Sequence, residues 1–110
     1  MIDDLFEMPK LKLAPTLQAI KPIIQGGMAI KISTAKLAAA VANCGGLGVI
    51  AASGLTKSEL KDQIQEARER QENNQGLIGI NIMFAASDFN MLVKTAMEEG
   101  IDVVIFGAGF

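Results

Sequence analysis

The amino-acid sequence predicts an α/β fold built on parallel strands. Three observations carry that prediction: four short apolar runs rich in β-branched residues, centred near residues 24, 49, 80 and 104; spacings of 25, 31 and 24 residues between them; and a helical stretch in each interval. Parallel strands need a crossover of a dozen or more residues, usually a helix, and these intervals have that size. The runs are continuous rather than alternating, as expected where both faces of a sheet are covered.

Residues 1–21 read as an N-terminal lead-in, with Pro9 and Pro15 as breakers. Pro22-Ile23-Ile24-Gln25 is the first strand, and Gly26-Gly27 is its exit. Ser33 is placed to cap a helix running through Leu37, Val41 and Ala42 and stopping at Gly45. Leu47 to Ala51 is the second strand. Thr56 and Glu59 have capping-box spacing and open a helix reaching to about Asn73. Its apolar positions are Leu60, Ile64 and Ala67; its charge run, with Glu66 four residues before Arg70, reads as a solvated face. Leu77 to Met83 is the third strand. Ser87 or Asp88 caps a helix carrying Phe89, Leu92, Val93 and Ala96, stopped by Gly100, and Val103 to Phe106 is the fourth strand. The order is βαβαβαβ. No helix follows Gly107-Ala108-Gly109-Phe110 to cover the last strand, so residues 22–110 read as the first four strands, the N-terminal half, of a (β/α)8 barrel that is apparently truncated.

Composition excludes several functions. The chain has 110 residues, 10 Lys+Arg, 12 Asp+Glu, one Cys and no His. A net charge of −2 offers no basic footprint for nucleic acid. Without histidine there is no Ser-His-Asp or Cys-His catalysis and no His-containing zinc site, and no metal site is expected. A single cysteine forms no internal disulfide, which makes the cytoplasm the expected compartment. Residues 37–56 are uncharged and long enough to span a membrane, but Gly45-Gly46 breaks them into helix, turn and strand. The acidic start at Asp3 and Asp4 is not a signal peptide.

Few motifs carry chemistry. Gly46-Leu47-Gly48-Val49-Ile50-Ala51 has the letters of a dinucleotide fingerprint, but it follows a helix and opens a strand, the reverse of what pyrophosphate binding needs. Gln25, Gly26, Gly27, Met28 and Ala29 lie at the C-terminal end of the first strand, where α/β folds place ligands. Two glycines let the backbone approach a flat ligand and Met28 lie against its face; the alternative is a Gly-rich turn with a buried Met. Asn81 lies inside an apolar strand beside Gly79 and needs partners, either backbone or, as favoured here, a polar ligand atom. Cys44, at a helix C-terminus, is expected buried and inert. The acidic pairs Asp3/Asp4 and Glu98/Glu99 diverge on any regular element and form no catalytic dyad.

Four segments in order, 22–29, 37–50, 79–83 and 102–109, resemble the nitronate monooxygenase family, also known as 2-nitropropane dioxygenase, and the related flavin-dependent enoyl-acyl-carrier-protein reductase II. The resemblance implies a TIM barrel with FMN at its C-terminal mouth. Gly26, Gly27, Met28 and Ala29, with Gln25, would line the isoalloxazine, Asn81 would bond the FMN, and Gly107 would keep space open beside the ring. It also implies a catalytic histidine on a later strand, outside this chain, so the activity belongs to a longer parent and the 110 residues alone are inactive. The implied reaction is oxidation of an alkyl nitronate by oxygen to a carbonyl compound and nitrite. NAD(P)H-dependent reduction of an enoyl thioester is the alternative. A reading of another class is a non-catalytic half-barrel that binds a partner or self-associates through its open sheet edges.

Overall fold

The computed structural model describes residues 11–14, 17–21, 23–26, 34–83 and 87–107. Two strands, β1 (Leu11–Ala14) and β2 (Leu17–Ala19), form an antiparallel hairpin within the lead-in. Then α1 (Ala35–Asn43), β3 (Leu47–Ala51), α2 (Lys57–Arg70), β4 (Leu77–Met83), α3 (Phe89–Glu98) and β5 (Val103–Gly107) alternate as the spacing predicts. β3, β4 and β5 make a parallel sheet in that order, with Leu47 beside Leu77 and Gly79 beside Val103. None of the described helices is long and apolar enough to cross a membrane.

The first predicted strand is shorter than its sequence suggests. Among the described residues it is one parallel bridge, Ile24 to Leu47. The Leu47 N–H donates to the Ile23 carbonyl (2.8 Å) and the Gln25 N–H to the Leu47 carbonyl (3.0 Å). Beyond that point a side chain continues the ladder. Gln25 Oε1 accepts from the Val49 N–H (3.0 Å) and Gln25 Nε2 donates to the Val49 carbonyl (2.9 Å), so one amide supplies the acceptor and donor that a neighbouring strand would have provided.

Side chains alternate across the sheet and sort into two clusters. Ile50, Ile78, Ile80 and Ile82 point to the helices, meeting Ala35, Ala38 and Ala42 of α1, Leu60, Ile64 and Ala67 of α2, and Leu92 and Ala96 of α3. Fully burying each large aliphatic side chain stabilises the fold by about 1.5–3 kcal/mol. On the other face Leu47, Val49, Leu77 and Val103 gather around Ala19 of the hairpin. The hairpin is held at the N-terminal ends of the strands, Ile20 N–H donating to the Gln75 carbonyl and Lys21 N–H to the Gly45 carbonyl.

Small residues set the first helix layer. A Cβ at Gly48 would run into the Ala38 carbonyl oxygen, so α1 lies directly on the strand backbone. The helix ends where expected: Cys44 is its C-cap and Gly45, at φ +93°, turns the chain into β3. Thr34 is the N-cap, without a side-chain bond, while Ser33 lies outside the described residues. Cys44 is exposed rather than buried, because the C-cap turn aims it into a surface cleft of about 320 Å³ with Lys21, Ile23 and Val41.

The second helix begins on the predicted capping box, Glu59 N–H to Thr56 Oγ1 (3.1 Å) and Thr56 N–H to Glu59 Oε1 (3.0 Å). It stops at Arg70, short of the predicted Asn73, because Asn43 ties down the exit: its Oδ1 accepts from the Glu72 N–H (2.7 Å) and its Nδ2 donates to the Arg70 carbonyl (2.9 Å). Glu66 and Arg70 pair at 3.0 Å on the surface, which contributes only about 0.3–0.5 kcal/mol. Arg68 leaves that face: it donates to Asp102 Oδ2 (3.2 Å) and to the Gly100 carbonyl (2.7 Å). Asp102 Oδ2 also accepts from the Ile78 N–H (2.9 Å), so one carboxylate joins α2, β4 and the start of β5. Asp88 precedes α3 as its N-cap without a side-chain bond.

These contacts set how the fold responds to substitution. Gly48→Ala overpacks the α1 contact and lowers stability by about 1–3 kcal/mol in urea unfolding. Asp102→Ala leaves the Ile78 N–H without its partner and costs about 1–3 kcal/mol in the same assay. The Thr56 backbone and side-chain bonds hold the Glu59 carboxyl below its usual range, so the stabilisation is complete above the ordinary carboxylate pKa and is lost as pH falls through the folded-state value. Glu59→Gln therefore flattens the acid limb of a stability–pH profile, whereas an unchanged limb would contradict this account.

Candidate functional site at the open inner face

Among the described residues the inner face of the sheet is filled at one end only. Near the N-terminal ends of the strands Ala19, Leu47, Leu77 and Val103 close it. Toward the C-terminal ends the same face presents Asn81, Met83, Ile105 and Gly107, which the register places side by side: Asn81 beside Ile105, Met83 beside Gly107. Met83 is 53% exposed and Ile105 36%. Ligands of open parallel sheets bind at this carboxyl end.

Asn81 is the polar group in the middle of that surface. It is half-buried rather than buried, and its backbone carbonyl accepts from the Ala52 N–H (2.9 Å). Its side-chain amide has no partner among the described residues. The backbone-satisfied alternative is thus not what the described fold uses, and a donor and an acceptor remain for a molecule lying on the inner face.

Glycines leave room on either side. Gly107, at the end of β5, is exposed, and a Cβ built there would meet nothing within 4 Å. The same holds for Gly26, where the chain leaves the sheet. Gly79, beneath Asn81, is tight instead: a Cβ would come 3.1 Å from the Val103 carbonyl oxygen, so this glycine serves strand packing. Gly27, Met28 and Ala29, expected against a ring, lie outside the described residues.

Gln25 is expected with the glycines that follow it at the cofactor; in the structure both atoms of its side-chain amide are bonded to Val49. The amide is consumed in completing the sheet. Asp102 escapes sequence reasoning as a structural residue; its one signal is an acidic side chain directly ahead of an apolar strand. Among the described residues no group of acidic or cysteine side chains stands close enough to hold a metal.

The arrangement is an apolar sheet face with one solvent-accessible amide and glycine gaps at two rims. It suits a flat heteroaromatic ring with polar edges. A family profile described as nitronate monooxygenase matches residues 12–103, most of the chain. The chain belongs to the nitronate monooxygenase family. Similar proteins include a probable nitronate monooxygenase of Staphylococcus aureus (strain JH9), 41% identical over 73 residues, covering 66% of this chain and 19% of that one. Another is (3aS,4S,5R,7aS)-5-hydroxy-7a-methyl-1-oxo-octahydro-1H-indene-4-carboxyl-CoA dehydrogenase of Mycobacterium tuberculosis (strain ATCC 25618 / H37Rv), 33% identical over 85 residues, 77% of this chain and 23% of that one. The structure of FabK from Thermotoga maritima superposes with a TM-score of 0.72 at 35% identity, covering 98% of this chain and 30% of that chain. The fold is therefore part of a (β/α)8 barrel in an oxidoreductase family, and the chain spans less than a third of the relatives it matches.

Gln25→Met keeps the length of the side chain and removes both bonds. It leaves the Val49 N–H and carbonyl unpaired, so the Val49 amide exchanges faster with solvent and stability falls by about 1–3 kcal/mol. Unchanged exchange at Val49 would show that the amide does not complete the ladder.

Proposed function

We propose that these residues form one wall of an FMN site in an oxidoreductase that converts alkyl nitronates, with oxygen, to a carbonyl compound and nitrite. The observation that carries the reading is the Asn81 amide, without a partner among the described residues, on an apolar, half-open inner face in a chain of the nitronate monooxygenase family. The groups present fit a flavin ring. Asn81 offers a donor and an acceptor to its polar edge, Met83 and Ile105 offer apolar surface, and Gly26 and Gly107 leave clearance for the ring plane.

Bound flavin supplies the redox chemistry: it takes electrons from substrate and passes them to an acceptor. The work of this chain is orientation. The inner-face aliphatics exclude water from one side of the ring, and the Asn81 amide fixes its rotation on the sheet. Barrel phosphate sites are built after strands 7 and 8, so this wall holds the ring without the phosphate. The resemblance adds a catalytic histidine from a later strand, and no residue of this chain is assigned that role.

An NAD(P)H-dependent flavin reductase of enoyl thioesters is the second reading, kept because the FabK structure covers almost the whole chain. The two separate in a barrel-length protein carrying this segment. Nitronate-dependent oxygen uptake without nicotinamide is the expected result. Rapid nicotinamide oxidation with a crotonyl thioester, and no nitronate turnover, would favour the reductase. In the same protein Asn81→Leu weakens FMN binding about 10-fold, the worth of one hydrogen bond to a ring atom, read by flavin fluorescence. The 110-residue chain alone emerges from gel filtration without a stoichiometric flavin spectrum.

A further inference from the structure

The ladder between β3 and β4 ends on a side chain. In a parallel pair a residue donates to the carbonyl just before its neighbour and accepts from the N–H just after it. Past the end of β3 the Ala52 N–H does donate to the Asn81 carbonyl (2.9 Å). The Ala52 carbonyl, due to accept from the Met83 N–H, accepts from the Leu55 N–H instead (3.1 Å), in a turn where Gly54 stands at φ +86°. Ser53 Oγ takes its place and accepts from the Met83 N–H (2.8 Å). Stability alone does not account for this bond. The Val49 and Ile78 groups met by Gln25 and Asp102 are buried, and leaving them unmet is costly. The bond at Met83 is exposed, so water could take the N–H at little cost.

What the bond fixes is direction. Met83 is the last residue of β4 and pairs in register with Gly107. It lies two residues after Asn81 and so on the same, inner face. With its N–H held, β4 stays extended beyond the point where β3 turns away, and the Met83 side chain keeps its place next to Asn81 and the Gly107 gap. A thioether is soft and polarisable and packs well on an aromatic ring. We propose that Ser53 is a positioning residue of the candidate flavin site: its hydroxyl holds the end of β4 so that Met83 stands where a ring on the inner face would meet it. This inference rests on the flavin reading given above.

The test uses a barrel-length protein carrying this segment, with and without FMN. Ser53→Ala leaves the urea midpoint nearly unchanged and speeds exchange of the Met83 amide about 10-fold. It weakens FMN binding about 5-fold, the worth of one ordinary hydrogen bond, and moves the visible absorption of the bound flavin toward that of free FMN. Ser53→Thr keeps the hydroxyl and restores wild-type binding and spectrum. In a Met83→Ala background Ser53→Ala has no further effect on the flavin, because the serine acts through that side chain. Three results would each overturn the inference while leaving the flavin reading intact: bound FMN indifferent to Ser53→Ala, an equal effect with and without the Met83 side chain, or a large fall in the urea midpoint. A folded wild type that takes up no FMN would sink both, and shows itself before any substitution is made.

Discussion

A parallel sheet of Val, Ile and Leu has two faces to take out of water, and the way this chain covers them dictates the rest of its structure. The outer face is covered by three helices, one in each crossover. The closest of them, α1, lies so near that Gly48 has no space for a side chain and the facing residues are alanines, Ala35, Ala38 and Ala42. Among the described residues the inner face is covered at its lower end alone, where the β1–β2 hairpin sets Ala19 against Leu47, Leu77 and Val103. Among the described residues the upper part stays open. That uncovered area is where Asn81 sits, and it is the surface on which the functional proposal rests.

Polar side chains repair the sheet where its backbone ladder is interrupted. At one side the Gln25 amide takes over a donor and an acceptor position opposite Val49. At the other, Asp102 collects the Ile78 N–H at the foot of β4 and the Arg68 guanidinium from α2. Asn43 performs a similar task between the ends of α1 and α2. At Val49 and Ile78, both buried, an unmet backbone group would cost more than the side-chain entropy of holding the bond. Asn81 differs, because its amide is left over on the inner surface after these repairs.

Much of the fold is legible in the residues. The strands at Leu77–Met83 and Leu47–Ala51 read as continuous apolar runs, and the Thr56/Glu59 box and Gly45 and Gly100 mark helix ends by local chemistry that needs no distant partner. What escapes is non-local. The hairpin at Leu11–Ala19 has no alternation strong enough to announce it and is held by Gln75 and Gly45, far away in sequence. Arg68 looks like one more solvated charge because its partner Asp102 lies 34 residues on. Cys44 reads as buried from its type, while the turn that aims it outward depends on the C-cap geometry.

The sequence alone determined the βα rhythm, the helix boundaries set by caps and glycines, and the candidacy of Asn81, since spacing and local hydrogen bonding act over a few residues; Gly107 became a candidate through the family resemblance. Tertiary structure decided which polar groups remain for a ligand. Gln25 and Asn81 are both amides beside glycines in or at the ends of apolar runs, and nothing in their neighbourhoods separates them. Only the packing of the Ile24 segment against β3 brings Val49 within reach of Gln25 and consumes it, while the Asn81 amide meets no partner among the described residues. Hydrogen-bond satisfaction is a property of the assembled sheet, and it becomes readable only when the strands are side by side.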